Sequence, residues 1–156
     1  MQNMSKTFLT PEQVRFIDDL ALLLTAWQMP GNAARLYGYL QLQNEPASLD
    51  DIARDLEMSK SNAWGAAKVL ESHGNARRLT ERGTKRVLYV AGEDPGAPLR
   101  RQTETLGSMS ELIGDQHQAV AQGTARSRLA RLAAFHKALQ QAMEQVVAPE
   151  RQSDAA

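Results

Sequence analysis

The sequence predicts a mostly α-helical protein with one small β-hairpin. Apolar residues recur at spacings of three and four along most of the chain, and only near residues 77–91 does the pattern alternate. With 156 residues, of which 42 % are hydrophobic, the chain is long enough for one compact domain with an appendage.

A capping box opens the first predicted helix. Thr10 can cap the helix, Pro11 suits its first position, and Gln13 completes the box. We expect this helix to end before Pro30, and a second helix to run from about Asn32 to Gln43.

Two short helices follow in quick succession. Ser48 is the expected cap of a helix over Leu49–Leu56, and Ser59 the expected cap of a helix over Lys60–His73. Gly74 can end the latter helix in a left-handed conformation.

The alternating segment predicts a hairpin. Its strands are expected over Arg77–Thr80 and Arg86–Ala91, and Gly83 lies in the loop between them, where a hairpin needs a positive φ.

Helical patterns resume after a linker over Gly92–Pro98. Two helices are predicted over about Leu99–Val120 and Leu129–Val146, and Gly107 and Gly114 imply a bend or close packing in the first. Their apolar stripes need a partner, so we expect a homodimer. The predicted interface residues are Leu99, Leu106, Ile113, Val120, Leu129, Leu132, His136, Leu139 and Met143.

Helix, tight turn, helix and hairpin is the order of a winged helix-turn-helix. The helix after Ser59 places Ser61, Gly65 and Lys68 on one side, opposite its alanines and Leu70. Small, polar and basic residues on one face suit a helix that enters a DNA major groove. Gly65 lowers the helix propensity of this segment by about 1 kcal/mol, and its missing side chain would let the helix backbone approach DNA closely.

Charge is unevenly distributed along the chain. Lysine plus arginine and aspartate plus glutamate each total 18, so the formal net charge is zero. Ser59–Val90 nevertheless holds seven basic and two acidic residues, a net +5, which leaves −5 for the rest. One basic module in a neutral protein is what local phosphate binding requires.

The segment Met29–Pro95 resembles the MarR superfamily of winged-helix transcription regulators, and is most similar to its GbsR branch. The resemblance rests on Met29-Pro30, on Met-Ser-Lys-x-Asn at Met58–Asn62, and on an acidic stretch that ends at Pro95. Ala53, Ser59, Lys60, Asn62 and Leu70 also match the family pattern.

Three positions depart from that pattern. Glu57 stands where a glycine is common, and a left-handed backbone there would cost it about 1–2 kcal/mol. Trp64-Gly65 replaces a small and a long polar residue, and Asn75-Ala76 replaces an apolar pair, which predicts a less tightly packed hairpin.

The candidate DNA-binding residues lie on the second short helix and on the wing. Asn62 suits adenine, Lys68 suits a phosphate or guanine, and the wing cations suit the minor groove or its phosphates. Trp64 is open to three interpretations: a groove contact, a ligand wall, or burial against a neighbouring helix, which we favour. The full set is Ser59, Lys60, Ser61, Asn62, Trp64, Gly65, Lys68, Arg78, Arg82, Lys85 and Arg86.

Three aromatic residues near Met29-Pro30 are candidates for an effector site. The resemblance to GbsR implies a choline-like or betaine-like ligand, and aromatic faces suit quaternary ammonium groups. Trp27, Tyr37 and Tyr39 are the candidates, with ordinary core packing as the alternative.

Other function classes are disfavoured. The chain has no cysteine, which excludes disulfides, thiolate catalysis and cysteine-based zinc sites. Its three histidines share no metal-ligand spacing, and no catalytic constellation is apparent, so we predict no enzyme activity, no metal and no cofactor. No apolar run nears the roughly 20 residues that span a bilayer, and no signal peptide is recognisable, so a cytoplasmic protein without a membrane partner is expected.

The sequence therefore predicts a dimeric, sequence-specific DNA-binding regulator, a repressor modulated by a small effector, that binds a pseudo-palindromic operator in double-stranded DNA. The alternative is a winged helix used for protein–protein assembly without a DNA target. The expected organisation is a flexible start (1–9), an N-terminal helix (10–29), the winged helix-turn-helix (30–92), a helical dimerisation region (97–147) and a flexible tail (148–156).

Overall fold

A computed structural model describes residues 9–148 of the chain, so the predictions for residues 1–8 and 149–156 lie outside the described part. The described residues form two compact units that divide between Glu93 and Asp94. The elements in order are α1 (Pro11–Ala26), α2 (Gly31–Gln41), β1 (Ala47–Ser48), α3 (Leu49–Asp55), α4 (Lys60–Ser72), β2 (Ala76–Thr80), β3 (Val87–Ala91), α5 (Ala97–Val120) and α6 (Gly123–Val147).

Side-chain caps begin the helices where the sequence places them. The Thr10 hydroxyl accepts a hydrogen bond from the Gln13 backbone N–H, and the Gln13 side chain accepts one from Thr10 in return. Ser48 and Asp51 form the same reciprocal box at α3. Each cap satisfies backbone donors that the first helical turn leaves open.

Three helices end in the same motif. After α1, α3 and α4 the chain turns through Gln28 (φ 66°), Glu57 (φ 53°) and Gly74 (φ 77°). At each end two backbone N–H groups reach back to carbonyls in the last helical turn; for α3 these bonds are Met58 to Ala53 and Glu57 to Arg54. This is the Schellman arrangement, in which glycine is the usual left-handed residue.

The sheet has three antiparallel strands in the order β1-β3-β2. The hairpin of β2 and β3 follows the predicted pairing, with Arg78 opposite Tyr89 and Gly83 at φ 85° in its loop. The third strand, β1, is a two-residue segment that the sequence did not predict; its Ala47 pairs with Tyr89.

One hydrophobic core fills the first unit. Helices α2 and α4 and the inner face of β3 enclose it, and α1 adds Ile17. Its largest fully buried side chains are Tyr39, Tyr89, Ile17, Leu36, Ile52, Leu56 and Leu70.

The base of the hairpin corrects one prediction. Asn75 and Ala76 were expected to loosen the packing, but both are buried. The Asn75 N–H donates to the Leu70 carbonyl at 2.8 Å, and the Asn75 carbonyl accepts from the Gly92 N–H at 3.0 Å. Backbone hydrogen bonds thus anchor the base of the hairpin although the usual apolar pair is absent there.

The second unit is an α5–α6 hairpin with a seam of small residues. Thr103, Gly107 and Ser110 of α5 and Ala133 of α6 are buried. The Ser110 hydroxyl donates to the Ala133 carbonyl at 2.9 Å, and a Cβ on Gly107 would overlap the Gln140 side chain. Close packing, one of the two outcomes expected at Gly107, holds there.

Candidate nucleic-acid interface

Helix α4 is fixed by one buried face and presents the other. Ala63, Ala66, Ala67 and Leu70 are buried against α2 and α3. Because alanine side chains are small, the helix can lie close to its neighbours. The side of the helix opposite the alanines points away from the core. Ser61, Asn62 and Lys68 are exposed on that opposite side.

The side chain before the first turn of α4 serves as the helix cap. The Ser59 hydroxyl accepts a hydrogen bond from the Asn62 backbone N–H at 3.0 Å, so Ser59 serves the helix itself. Lys60 Nζ lies 3.2 Å from an Asp50 carboxylate oxygen, but both side chains are mostly exposed and solvent screens the pair. The cap bond uses only the backbone of Asn62, and the Asn62 side chain is exposed.

Trp64 is exposed, which overturns the favoured interpretation of burial. Its side chain keeps 52 % of its surface accessible, because it lies beside the outward line of α4 rather than on the alanine face. The Lys68 ammonium lies 5.4 Å from the centre of the Trp64 ring, a cation–π distance. Next to the ring, a Cβ on Gly65 would meet nothing within 4 Å.

The wing presents a second group of cations. Arg82, Lys85 and Arg86 lie in the exposed loop between β2 and β3, and Arg78 is exposed on β2. Within residues 9–148, no carboxylate lies within 4.0 Å of their side-chain nitrogens or of Lys68, whereas Arg77 pairs with Glu93 at 3.3 Å. Their charge is therefore available to an anionic partner.

A buried polar network holds α2 against α3. The Tyr39 hydroxyl donates to Asp55 at 2.7 Å, and Arg54 Nε donates to the other Asp55 oxygen at 2.9 Å. Burial, together with the hydrogen bond to Asp55, raises the pKa of Tyr39 far above its ordinary value. Asp55 and Arg54 are not predicted as partners, because nothing in the local pattern shows that a tyrosine sixteen residues before Asp55 reaches its carboxylate.

The three effector candidates occupy different environments. Tyr39 is buried and Tyr37 packs against the core, so the alternative of core packing holds for both. Trp27 is 75 % exposed. A cavity of about 280 Å³ lies between α1, α2 and the end of α3, lined by other residues, among them Arg35, Arg54 and Glu57.

The predicted dimer residues divide into two groups. Leu99, Leu106, Ile113, Leu129, His136 and Met143 are partly buried within the hairpin, whereas Val120, Leu132 and Leu139 are exposed. The buried Nδ1 of His136 has no hydrogen-bond partner among the described residues. Val146, the last residue of the predicted α6 stripe, and Phe135, which was not predicted, extend the exposed set.

We name Leu132, Phe135, Leu139 and Val146 the α6 ridge. They share one side of the helix at helical spacing, next to the face that packs on α5. Met109, Leu112 and Val120 are exposed on α5. The hairpin thus buries mainly small residues, together with Val147, and leaves a row of large apolar residues exposed on each helix.

Two other kinds of site were sought in the described part of the chain. Residues 9–148 hold no group of three histidine, aspartate or glutamate side chains placed to bind a metal ion. Among the helices of that range, none is both long and apolar enough to cross a membrane.

Comparisons with known proteins bear on the fold. No family model and no curated protein matches the sequence. The chain is similar to the crystal structure of a transcriptional regulator, with 18 % identity and a TM-score of 0.74, over 88 % of this chain and 96 % of that one. The chain accordingly has the fold of winged-helix regulators, mostly helical with a small three-stranded antiparallel sheet.

Proposed function

We propose that this protein is a sequence-specific DNA-binding transcriptional regulator of the MarR superfamily, of the GbsR type. The observation that carries the proposal is that α4 is held by an alanine face, while Lys68 on its opposite face and the cations of the wing have no carboxylate within 4.0 Å among residues 9–148. In such an arrangement the helix enters the major groove and the wing contacts neighbouring phosphates. The structural similarity to a transcriptional regulator is consistent with this role.

We further propose that the regulator is a homodimer. The α6 ridge places four large apolar residues on one side of a helix, and α5 exposes three more, which a monomer rarely leaves in water. A second copy presents the same surface, so the two cover each other about a twofold axis. Two α4 helices then address half-sites of a pseudo-palindrome about one helical turn apart.

Repression and its control by a small effector complete the proposal, and they rest on the resemblance to GbsR regulators. An effector that binds one spacing of the two α4 helices better than another lowers DNA affinity by linkage. Trp27 is the exposed aromatic residue among the three effector candidates. The proposal assigns no catalytic step to any residue.

The rival function is a winged helix that binds another protein. Exposure of Trp64 is the observation in its favour, since tryptophan is enriched at protein interfaces. DNA binding and protein assembly differ in salt dependence, because only a polyanion releases condensed counterions in proportion to the phosphates contacted.

A salt-dependent titration separates the two functions. We expect the full chain to bind a promoter fragment from beside its own gene, with an affinity that falls steeply as salt rises. Lys68→Ala and Arg86→Ala should each weaken binding and reduce the salt slope by about one. Lys137→Ala, which removes an exposed cation of α6, is the matched control and should change neither.

The proposal fails under a specific result. If the wild-type chain shows a salt slope near zero, and Lys68→Ala and Arg86→Ala bind the fragment as the wild type does, DNA is not the partner of this surface.

A further inference from the structure

Trp64 and Lys68 form a pair on the outside of α4, four residues apart and therefore one helical turn apart. We propose that Trp64 reads the C5-methyl group of a thymine in the major groove, and that Lys68 positions the indole ring to do so. This inference rests on the proposed DNA-binding function and names the base that the site prefers.

The surroundings of Trp64 favour DNA over a protein as its partner. The ring lies on the same side of the helix as Lys68 and as Lys60, of which Lys60 is paired with Asp50 at an exposed position. Lys68 has no carboxylate partner among the described residues, and the wing cations are equally unpaired. An apolar ring within a cationic surface suits a partner that offers phosphates and an apolar group together.

Thymine offers that combination in the major groove. Its methyl group is the apolar feature that distinguishes it there from the other bases, and aromatic and small apolar side chains contact it. Because the space beside Gly65 is open, a base edge can approach the helix backbone and lie against the indole. A longer residue at position 65 would occupy that space.

Lys68 gives the ring a defined orientation. Its ammonium lies over the indole, and this contact favours the observed orientation of the ring, which lowers the side-chain entropy lost on binding. Lys68 is a positioning residue in this respect, and its remaining N–H donors are available to a phosphate.

The test removes one methyl group at a time. A binding site is first selected in vitro from random double-stranded DNA with the full wild-type chain. Each thymine of that site is then replaced singly by deoxyuridine, which changes nothing except the methyl group. We expect about fourfold weaker binding at one position of each half-site, the value of one buried methyl group.

The variants locate the effect. Trp64→Ala should bind the thymine and deoxyuridine sites equally, and Trp64→Leu should keep part of the difference. Lys68→Ala should reduce both the thymine preference and the salt slope. Arg86→Ala is the matched control, because it should reduce the salt slope and leave the preference intact. Circular dichroism checks that each variant folds, as expected for substitutions at exposed positions.

Two failures are distinguishable. If the wild type selects a DNA site but Trp64→Ala retains the full thymine preference, or weakens binding equally at every thymine, the inference is overturned and DNA binding stands. If the wild type selects no DNA, the proposed function fails, and Trp64 belongs to a protein interface.

Discussion

At the scale of single residues, the geometry of a helix end can impose a left-handed backbone conformation on a residue that disfavours it. Gln28, Glu57 and Gly74 have the same role in three Schellman motifs, yet only one of them is glycine. A Cβ in the left-handed region costs about 1–2 kcal/mol. Glu57 adopts the left-handed conformation despite this cost, because the chain must change direction between α3 and α4 within a few residues.

Replacing Glu57 by glycine should therefore stabilise the protein. We expect the free energy of unfolding of Glu57→Gly to rise by about 1 kcal/mol in urea titrations followed by circular dichroism. Glu57→Ala is the matched control: it removes the same carboxylate, keeps the Cβ and should give no gain. Gly74→Ala makes the opposite change in the same motif and should destabilise by a similar amount. A gain with alanine at position 57 would show that the carboxylate, not the backbone, is responsible.

Trp64 shows the limit of sequence reasoning at this scale. The pattern placed it on the flank of α4, where exposure and burial are equally compatible with helical periodicity. Which of the two occurs depends on whether a neighbouring element covers that flank, and neighbours are a property of the whole fold. For the same reason the buried partners of Tyr39 were missed, whereas the alanine face of α4 was predicted correctly from spacing alone.

At the scale of elements, local chemistry was predictable and long-range pairing was not. The caps Thr10, Ser48 and Ser59 all begin helices as expected, since a cap acts on backbone groups three residues away. Strand β1 was not predicted because two residues are too few to show an alternating pattern. Its existence depends on pairing with Tyr89, some forty residues later. The ends of α2, α3 and α4 lie one or two residues before the predicted ends, a usual uncertainty at helix termini.

The capping box of α3 should make stability sensitive to acid. Burial opposes ionisation of Asp51, but hydrogen bonds from Ser48 and the Arg54 guanidinium outweigh it and lower the pKa of Asp51 below 3.8. A carboxyl group with a lowered folded pKa stabilises above its unfolded pKa, and this contribution is lost as the pH falls through the folded value. We expect Asp51→Asn to be less stable than wild type at pH 7, and the difference between the two to shrink as the pH falls through the lowered pKa of Asp51.

The measurement is the free energy of unfolding from pH 7 to pH 2. Ser48→Ala, which removes the other half of the box, should cost about 1 kcal/mol at pH 7. Ser127→Ala, at an exposed position of α6, controls for the loss of a hydroxyl. A constant difference between Asp51→Asn and wild type across the whole range would contradict an ionised Asp51 in the cap.

At the scale of the whole molecule, zero net charge conceals a separation of charge along the chain. The module from Ser59 to Val90 carries +5, the residues before it carry −4 and the residues after it carry −1. A neutral chain with a local cationic surface should bind DNA where that surface fits, and should bind other anionic surfaces less than a uniformly basic chain does. Composition alone would have argued against nucleic acid.

The proposed dimer gives a prediction at this scale. Phe135→Glu places a carboxylate in the centre of the α6 ridge, where pairing of two copies would bury two like charges. Light scattering at micromolar concentration should give a dimer for the wild type and a monomer for Phe135→Glu. Ser127→Glu introduces the same group at an exposed polar position of α6 and should remain dimeric. A monomeric wild type would exclude the dimer.

The seam of small residues between α5 and α6 has a thermodynamic consequence. Thr103, Gly107, Ser110 and Ala133 bring the two helices close but themselves remove little apolar surface from water, and larger residues such as Leu106 and Ile113 are only partly buried beside them. Covering the α6 ridge in the proposed dimer therefore adds to the hydrophobic stabilisation of the hairpin and couples its folding to association. Its melting temperature should rise with protein concentration, as in a bimolecular equilibrium.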